Sequence, residues 1–373
     1  MQTMFRCYAG AAFGLEGLIA GELRKIGMCD VAAENGGVRF TAEPDDLFRC
    51  NLQMHFSDRL FIILGSGICK TFEDLYQLVF SLDWQDYFSG RESIDISCKC
   101  VRSTLMSQRD CQSVSNKAVI DKIRKTRSVS VFPEDGPSLP VQLTIRNDLV
   151  TILLNTSGES LSRRGYRTWN GEAPLRETLA SALVELSPWK QGIPLHDPCC
   201  GTGTILIEAA LMASGRAPGI RRSFAMEKLS CFHAIPFSSI RQQVSETTDF
   251  SKINDISGSD IDPSPLQLAE IHIRQAGLEK NHIPLRNIAL QDLCLETVNG
   301  VFICNPPYGE RLSDQNECRK LYHELFLLKQ RHPTWKLCAI SSDPSFERSF
   351  GRRADKKRRV YNGRLECVYY IYS

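Results

Sequence analysis

An apolar run that turns into a helix through two glycines constrains this chain more than any other segment. The strand-like run Ile193 to His196 leads into Asp197-Pro198-Cys199-Cys200-Gly201-Thr202-Gly203, and a helical pattern from Thr204 to Ala213 follows at once. Glycine allows a sharp turn and lets the backbone approach a ligand closely. The first N–H groups of a helix have no partners inside the helix. The segment therefore predicts a cofactor-binding loop, although a tight turn without a ligand has the same pattern.

The part of the chain after Glu172 continues this alternation of strand and helix. Apolar runs occupy Ile256 to Ser259 and Val301 to Cys304, and a helical pattern covers Pro265 to Ala276. This alternation is typical of a parallel α/β sheet. A nicotinamide dinucleotide site needs a third glycine in its loop, where this chain has Leu206, so that kind of site is disfavoured.

Acidic residues follow two of the predicted strands. Asp260 comes directly after one strand, where a carboxylate suits the two hydroxyls of a ribose, whereas Asp262 could cap the next helix. Asp292 follows the candidate strand Asn287 to Leu290 and could accept from an adenine amino group, or it could be a solvated loop acid. The predicted cofactor-binding residues are Asp197, Gly201, Gly203, Thr204, Asp260, Ile261, Asp292 and Asn305.

A rigid turn, Asn305-Pro306-Pro307-Tyr308, ends the strand Val301 to Cys304. The two prolines fix the backbone and remove two N–H donors. The Asn305 side-chain oxygen and the Pro306 carbonyl can then accept together from an –NH2 group and direct its lone pair toward an electrophile. Tyr308 offers a flat face on which a base can stack. The predicted catalytic residues are Asn305, Pro306 and Tyr308, although a purely structural turn is the alternative.

The glycine loop and the segment Asn-Pro-Pro-Tyr-Gly-Glu-Arg-Leu (305–312) together resemble the Rossmann-like amino-methyltransferases that use S-adenosylmethionine. Nearly the whole chain resembles the bacterial THUMP-domain methyltransferases of large-subunit ribosomal RNA, which make N2-methylguanine. Further segments that carry this resemblance are Phe13 to Glu16, Asn51 to Arg59, Arg163 to Arg167, Ala173 to Ala180 and Tyr361 to Gly363. The cysteine pair departs from the family, in which an aromatic residue is common at position 199.

The resemblance implies an α/β fold, with a Rossmann-like class I methyltransferase sheet preceded by an α+β ferredoxin-like and THUMP region. It divides the chain into a ferredoxin-like region (1–60), a THUMP RNA-binding domain (61–160) and a methyltransferase domain (161–373). It also implies S-adenosyl-L-methionine as the cofactor. The implied partner is RNA, in the form of large-subunit ribosomal RNA or an assembling ribosomal particle.

Local charge agrees with an RNA partner. The formal net charge is only +2, so affinity for phosphates must come from clusters. Residues 91–130 carry nine basic and four acidic residues, and residues 341–373 carry eight and four. An ordinary solvated surface is the alternative. The predicted RNA-binding residues are Lys122, Arg124, Lys125, Arg127, Arg352, Arg353, Lys357 and Arg358.

Other classes of protein are disfavoured. The 15 cysteines have irregular spacing and no Cys-x-x-Cys pair, so we expect reduced thiols and no metal. No apolar run approaches the roughly 20 residues that span a membrane. The first ten residues do not resemble a signal peptide, so we expect a cytoplasmic protein. The pattern does not indicate an oligomeric state.

The leading prediction is S-adenosylmethionine-dependent methylation of guanine N2 in large-subunit ribosomal RNA. Adenine-N6 methylation of DNA or RNA stays open because Asn-Pro-Pro-Tyr serves either base. Guanine-N2 methylation of transfer RNA fits the same fold. A different class is an RNA-binding or ribosome-assembly protein with an inactive methyltransferase domain. The intact Gly201, Gly203, Asp260, Asn305 and Tyr308 argue against that class.

Overall fold

The computed structural model describes residues 4–88, 91–127, 136–167, 175–307 and 312–373, without the side chains of 127 and 312–314. The chain forms two compact units. The first contains Met1–Ala11, Ile19–Leu161 and Ser223–Gln243, and the second contains Ala12–Leu18, Ser162–Arg222 and Val244–Ser373. The domain boundaries at 60/61 and 160/161 stay predictions.

A seven-stranded sheet forms the centre of the first unit, with the order β2-β3-β1-β4-β7-β6-β5. The elements up to residue 161 are β1 (Phe5–Gly10), α1 (Glu16–Ile26), β2 (Cys29–Glu34), β3 (Gly37–Ala42), α2 (Pro44–Gln53), β4 (Arg59–Ile68), α3 (Phe72–Phe80), β5 (Ser93–Val101), α4 (Gln108–Arg127), β6 (Ser138–Arg146) and β7 (Leu149–Asn155). Strand β4 pairs with β1 on one side and β7 on the other. The predicted ferredoxin-like and THUMP regions therefore share one continuous sheet.

The β-branched and alternating runs Val141 to Ile145 and Leu149 to Leu154 predict a hairpin at Arg146-Asn147-Asp148, and the structure confirms it. Strands β6 and β7 are antiparallel, and Arg146 pairs with Leu149 across a two-residue loop. Asn147 and Asp148 have φ values of 50° and 63°, which a tight hairpin turn requires and which Asn and Asp tolerate. The turn-rich composition of Pro133 to Pro140 predicts a break in regular structure, whereas β6 already begins at Ser138. Pro140 lies before the pairing with β7 starts, so its missing N–H costs no bond to that strand.

The second unit also contains a seven-stranded sheet, with the order β10-β9-β8-β11-β12-β14-β13. The elements after residue 161 are α5 (Glu177–Leu186), β8 (Leu195–Asp197), α6 (Thr204–Ser214), α7 (Phe237–Glu246), β9 (Ile256–Asp260), α8 (Pro263–Gln275), β10 (Leu285–Asn287), β11 (Val301–Cys304), α9 (Leu312–Arg331), β12 (Lys336–Ser341), α10 (Phe346–Phe350), β13 (Lys356–Asn362) and β14 (Leu365–Tyr372). Strands β8 to β12 are parallel, and β14 is antiparallel to β12 and β13. The predicted Rossmann-like α/β class is confirmed.

One strand of this sheet differs from the prediction. The candidate strand Asn287 to Leu290 is replaced by β10, which ends at Asn287. The Asn287 side-chain amide donates to the carbonyls of Asp260 and Ile261, both at 2.9 Å. These contacts turn the chain away from the ladder, and Leu290–Asp292 forms a short 3-10 turn.

Aromatic side chains fill one face of the second sheet. Phe302 on β11 stacks on Trp335 with ring centroids 4.5 Å apart, and Tyr322 on α9 is fully buried in the same cluster. Burying such large rings dominates core stability and holds the β11 strand in place. Among the described helices, none combines the length and the apolar character needed to cross a membrane.

Candidate active site

The carboxyl ends of β8, β9 and β11 lie at one edge of the second sheet. The strand register pairs His196 with Phe302 and Asp197 with Gly258. Asp260, the last residue of β9, and Asn305, the residue after β11, therefore lie at the same edge. Ligands of open α/β sheets bind outside this edge. The structure thus brings together the glycine loop, the acid at the end of β9 and the turn after β11, which the sequence indicates separately.

The glycine loop joins β8 to α6 in the conformation that its glycines permit. Gly201 and Gly203 have φ values of 50° and 79°, in the left-handed region. A Cβ at Gly203 would also lie 3.2 Å from the Cβ of Ala269 on α8. Thr204 begins α6, so the free N–H groups of the helix follow the loop directly. This arrangement suits the close approach of a ligand to the backbone.

Asp260 is tied to the glycine loop. Its carboxylate accepts from the Gly201 N–H at 2.8 Å and from the Asp262 N–H at 3.0 Å. A carboxylate has about four acceptor positions, so two remain for hydroxyl groups of a ribose. Asp262 has a different role, because its side chain caps α8 by accepting from the Ser264 N–H at 2.8 Å. Asp260 therefore bonds to the glycine loop, whereas Asp262 caps the helix.

Asp197 supports the glycine loop from a buried position. Its side chain is 2% exposed and accepts from the Cys199 N–H at 3.0 Å. Burial raises the pKa of Asp197 well above its usual range, and the bond from Cys199 opposes that rise. Beside it, the His196 ring bridges the hydroxyls of Ser257 and Ser259 on β9, at 2.8 and 3.0 Å. Burial lowers the pKa of His196 to about 3, so the imidazole is neutral.

The remaining predicted cofactor residues lie at the margin of this edge. Ile261 is 73% exposed directly after Asp260, where an apolar side chain can cover one face of a flat ring. Asp292 is exposed in its 3-10 turn. The Thr204 hydroxyl accepts from the Arg167 guanidinium at 2.7 Å, so Thr204 is already engaged by the protein.

The turn after β11 is held by a hydrogen bond from a buried side chain of α9. Asn305 is half-buried, Pro306 is buried and Pro307 is exposed. The Tyr322 hydroxyl, on a fully buried ring of α9, donates to the Pro307 carbonyl at 3.1 Å. Sequence reasoning missed Tyr322, because an isolated tyrosine in a helix carries no motif. Tyr308, together with 309–311, lies outside the described residues, so its stacking role stays a prediction.

A buried polar network lies behind the glycine loop. Glu208 on α6 is fully buried and accepts from the hydroxyls of Ser181 and Tyr166, while Arg164 contacts it at 3.4 Å. The polar composition of Ser157 to Gly171 predicts a linker. The described part of this stretch instead carries buried side chains that hold α5 against α6. These residues are polar because they pair with other polar groups inside the protein. In the sequence, the motif Arg163 to Arg167 is the signal that could have suggested such pairing.

A further glycine that sequence reasoning missed lies inside β9. A Cβ at Gly258 would lie 2.4 Å from Cδ1 of Leu206 and 3.0 Å from the Cβ of Cys200. The close packing that a dinucleotide site obtains from a glycine on the helix is here provided by a glycine on the strand. A glycine within an apolar strand is the signal that could have found it.

Protein-family models match three consecutive parts of the chain. The model described as an RMKL-like methyltransferase domain (UPF0020) matches residues 164–371. The ferredoxin-like domain of RlmL matches 6–61, and the THUMP domain matches 69–155. The methyltransferase match alone covers more than half of the chain. This chain belongs to the RMKL-like methyltransferase family.

Curated relatives agree with this membership. The chain is 33% identical over 366 residues to YpsC of Bacillus subtilis (strain 168), which is named provisionally as an RNA methyltransferase, with 98% of this chain and 94% of YpsC covered. It is 32% identical over 377 residues to the ribosomal RNA large subunit methyltransferase K/L of Shewanella frigidimarina (strain NCIMB 400). That match covers 99% of this chain but 53% of the relative. The chain therefore spans about half the length of the K/L enzymes.

Solved structures extend the similarity to the whole fold. A protein of Listeria monocytogenes str. 4b F2365, described as a predicted N6-adenine-specific DNA methylase, is 35% identical with a TM-score of 0.93, and the match covers 100% of this chain and 96% of that one. SMU.472, provisionally described as a methyltransferase and solved with SAH, is 35% identical with a TM-score of 0.92, covering 100% and 98%. SAH is the product that S-adenosylmethionine leaves after methyl transfer. This RMKL-like methyltransferase thus uses S-adenosylmethionine, as predicted.

The predicted RNA-binding residues of the first unit lie on α4 of this methyltransferase. The ammonium groups of Lys122 and Lys125 lie 5.7 and 5.5 Å from the ring centroid of Phe80, and Arg124 is exposed. The Arg127 side chain lies outside the described residues. The attraction between an ammonium group and the face of a ring favours these positions, so the basic residues of α4 form a positive surface.

The positive charge of the predicted RNA-binding residues near the C-terminal end is partly balanced by acidic partners. Arg352 pairs with Asp355 at 2.6 Å, and Lys357 pairs with Glu347 at 2.8 Å. Arg353 and Arg358 are exposed. The local charge available to an RNA phosphate is therefore smaller than the count of basic residues had indicated.

Proposed function

We propose that this methyltransferase transfers the methyl group of S-adenosylmethionine to the exocyclic N2 amine of a guanine in large-subunit ribosomal RNA, in the cytoplasm. The observation that carries this proposal is the position of the Asn305 turn, which leaves β11 at the same sheet edge as the glycine loop. The names of the K/L relatives support the ribosomal substrate. The THUMP match to residues 69–155 supports RNA.

The residues around the glycine loop would hold the cofactor. The backbone of Gly201 and Gly203, the Asp260 carboxylate and the exposed Ile261 side chain offer a close backbone, a ribose acceptor and an apolar cover. Asp197 would support the loop, and Asp292 would lie near the base of the cofactor. When bound, S-adenosylmethionine supplies an electrophilic methyl group on a positively charged sulfur.

The turn after β11 would position the amine. The Asn305 side-chain oxygen and the Pro306 carbonyl accept from the –NH2 group and orient its lone pair toward the methyl group. The Tyr322 hydroxyl holds the next carbonyl, that of Pro307, so the backbone of the turn is fixed before substrate arrives. Positioning of this kind supplies most of the acceleration in a simple displacement. Tyr308 would stack on the base after it leaves its helix.

RNA would be captured through phosphates and shape. Lys122, Arg124, Lys125 and Arg127 on α4 would meet the phosphates, as would Arg352, Arg353, Lys357 and Arg358 in the second unit. Neutralising Lys122, Arg124 and Lys125 together should weaken RNA binding and reduce its salt dependence by about two to three phosphate contacts. The matched control is Lys280→Ala, an exposed lysine already paired with Glu270 at 2.8 Å. An unchanged salt slope in the triple variant would contradict the role of α4.

Adenine-N6 methylation is the second candidate, and one observation favours it. The Listeria structure described as an N6-adenine-specific DNA methylase matches this chain along its whole length. The Asn305 turn can accept from either exocyclic amine, so the geometry fits both bases. The THUMP match and the K/L relatives favour RNA guanine.

The decisive experiment labels RNA from a strain that lacks the gene. The purified chain is incubated with this RNA and with methyl-labelled S-adenosylmethionine, and the products are digested to nucleosides and separated. Label should enter N2-methylguanosine in large-subunit ribosomal RNA, and Asn305→Ala should reduce incorporation by about 100-fold or more. Label in N6-methyladenosine or only in transfer RNA would replace the proposed substrate. No label in any RNA or DNA, with cofactor binding intact, would favour an inactive RNA-binding protein.

A further inference from the structure

Three cysteine thiols meet at the edge of the first sheet. Cys98 and Cys100 lie on the edge strand β5, and Cys111 lies in the first turn of α4. Their Sγ atoms all lie within 4.8 Å of one another, and those of Cys98 and Cys100 are 3.6 Å apart. Because alternate residues of a strand point to one side, Cys98 and Cys100 both face the helix. The irregular cysteine spacing in the sequence conceals this cluster.

The sulfur separations match those around a single metal ion. With Zn–S bonds of about 2.3 Å, two thiolates on one tetrahedral ion lie about 3.8 Å apart. The Cys98–Cys100 separation is already within about 0.2 Å of that value, and every other separation in the group needs to shorten by at most about 1 Å. Side-chain rotation of one thiol covers such a distance without moving the backbone.

A disulfide fits this geometry less well. Residues i and i+2 of a strand have Cα atoms about 6.6 Å apart and parallel Cβ directions, at the limit of what a disulfide can bridge. A disulfide from Cys111 to either strand residue would leave the third thiol unused. A thiophilic ion engages all three at once.

We propose that Cys98, Cys100 and Cys111 form a binding site for a thiophilic d10 cation such as Zn²⁺, with three sulfur ligands. The described residues contribute no fourth His, Cys, Asp or Glu atom to the group. Cys100 is only partly buried, so the fourth position of the ion is open to water or to an exogenous ligand. This departs from our expectation of reduced thiols without a metal. It is independent of the proposed methyl transfer.

The ion would connect the edge strand to the helix that carries Lys122, Arg124 and Lys125. Among the described strands, β5 pairs with β6 and lies at the end of the strand order, so its other edge receives no support from a described strand. An ion bound to thiols on both β5 and α4 adds its binding free energy to the folding of this region. We therefore expect metal to raise the unfolding temperature of the first unit.

The experiment uses the full chain, reduced with a phosphine that does not bind metal. Cd²⁺ is added as the probe, and the sulfur-to-cadmium charge-transfer absorption is followed to its end point, with Zn²⁺ as competitor. The wild type should bind one ion tightly, and X-ray absorption at the cadmium edge should count three sulfur ligands. Cys98→Ser and Cys111→Ser should each weaken binding by roughly tenfold or more.

The matched control is Cys69→Ser, which removes a buried thiol of the same unit outside the cluster. It should bind Cd²⁺ like the wild type. Circular dichroism of each variant, and the parallel variants Cys98→Ala and Cys111→Ala, separate loss of ligand from loss of fold. The site is refuted by Cd²⁺ binding that persists in both folded serine variants, by fewer than three sulfur ligands, or by no tight binding to the reduced wild type.

Discussion

Replacing Asp260 with alanine tests the hydrogen bond between this acid, at the end of β9, and the glycine loop. The carboxylate accepts from the Gly201 N–H at 2.8 Å and from the Asp262 N–H at 3.0 Å. Water can replace the second bond because Asp262 is exposed, so the main losses are the Gly201 bond and the expected ribose contact. Each unsatisfied partner costs about 1–3 kcal/mol. Since binding of the cofactor can restore part of the loop, we expect a net loss of about 1–3 kcal/mol, or about 5- to 150-fold in Kd.

The assay is isothermal titration calorimetry of the full chain with S-adenosylhomocysteine, the product of transfer. Asp262→Ala is the control, because it removes the cap of α8 without touching the Gly201 N–H. It should lower the free energy of unfolding by about 1 kcal/mol and leave the Kd within about twofold. An Asp260→Ala protein that folds normally and binds as tightly as the wild type would refute the reasoning. Weaker binding in Asp262→Ala alone would move the ribose contact to that residue.

Two further predictions concern residues that support the site. Tyr322→Phe removes the hydroxyl that donates to the Pro307 carbonyl. It should lower kcat by about fivefold with unchanged affinity for S-adenosylhomocysteine, because one hydrogen bond of about 1 kcal/mol that fixes the turn is lost. Equal kcat in the variant would mean that the turn needs no anchor. His196 is buried with a pKa of about 3, against an ordinary value of 6.5, so the unfolded chain takes up a proton there that the folded chain does not. This contribution to stability is complete above pH 6.5 and is lost as the pH falls toward 3, by about 1.4 kcal/mol per pH unit. Urea unfolding at several pH values should show a shallower acid loss in His196→Gln than in the wild type, and parallel curves would contradict it.

Much of the fold was predictable because its signals are local. The β8–loop–α6 segment combines an apolar run, two glycines and a helical period within about twenty residues, so no distant contact was needed to recognise it. The hairpin of β6 and β7 and the strand β11 were identified for the same reason. The family resemblance, confirmed by the comparisons, then extended these local signals to the order of domains. The predicted roles of Asn305, Asp292 and the basic residues still await experiment.

Other features depended on contacts between distant parts of the chain. Glu208 looks like an ordinary helix residue until the fold surrounds it with Arg164, Tyr166 and Ser181. Tyr322 lies 15 residues after the carbonyl it holds, with no motif between them.

The sequence by itself determined the glycine loop before α6, the acid at the end of β9 and the turn that follows β11, because each depends on a few adjacent residues. Only the tertiary structure decided that Asp260 rather than Asp262 engages the loop, and that Cys98, Cys100 and Cys111 meet. Those outcomes depend on strand register and helix packing. Both are set by the burial of many side chains together, and no short segment encodes them.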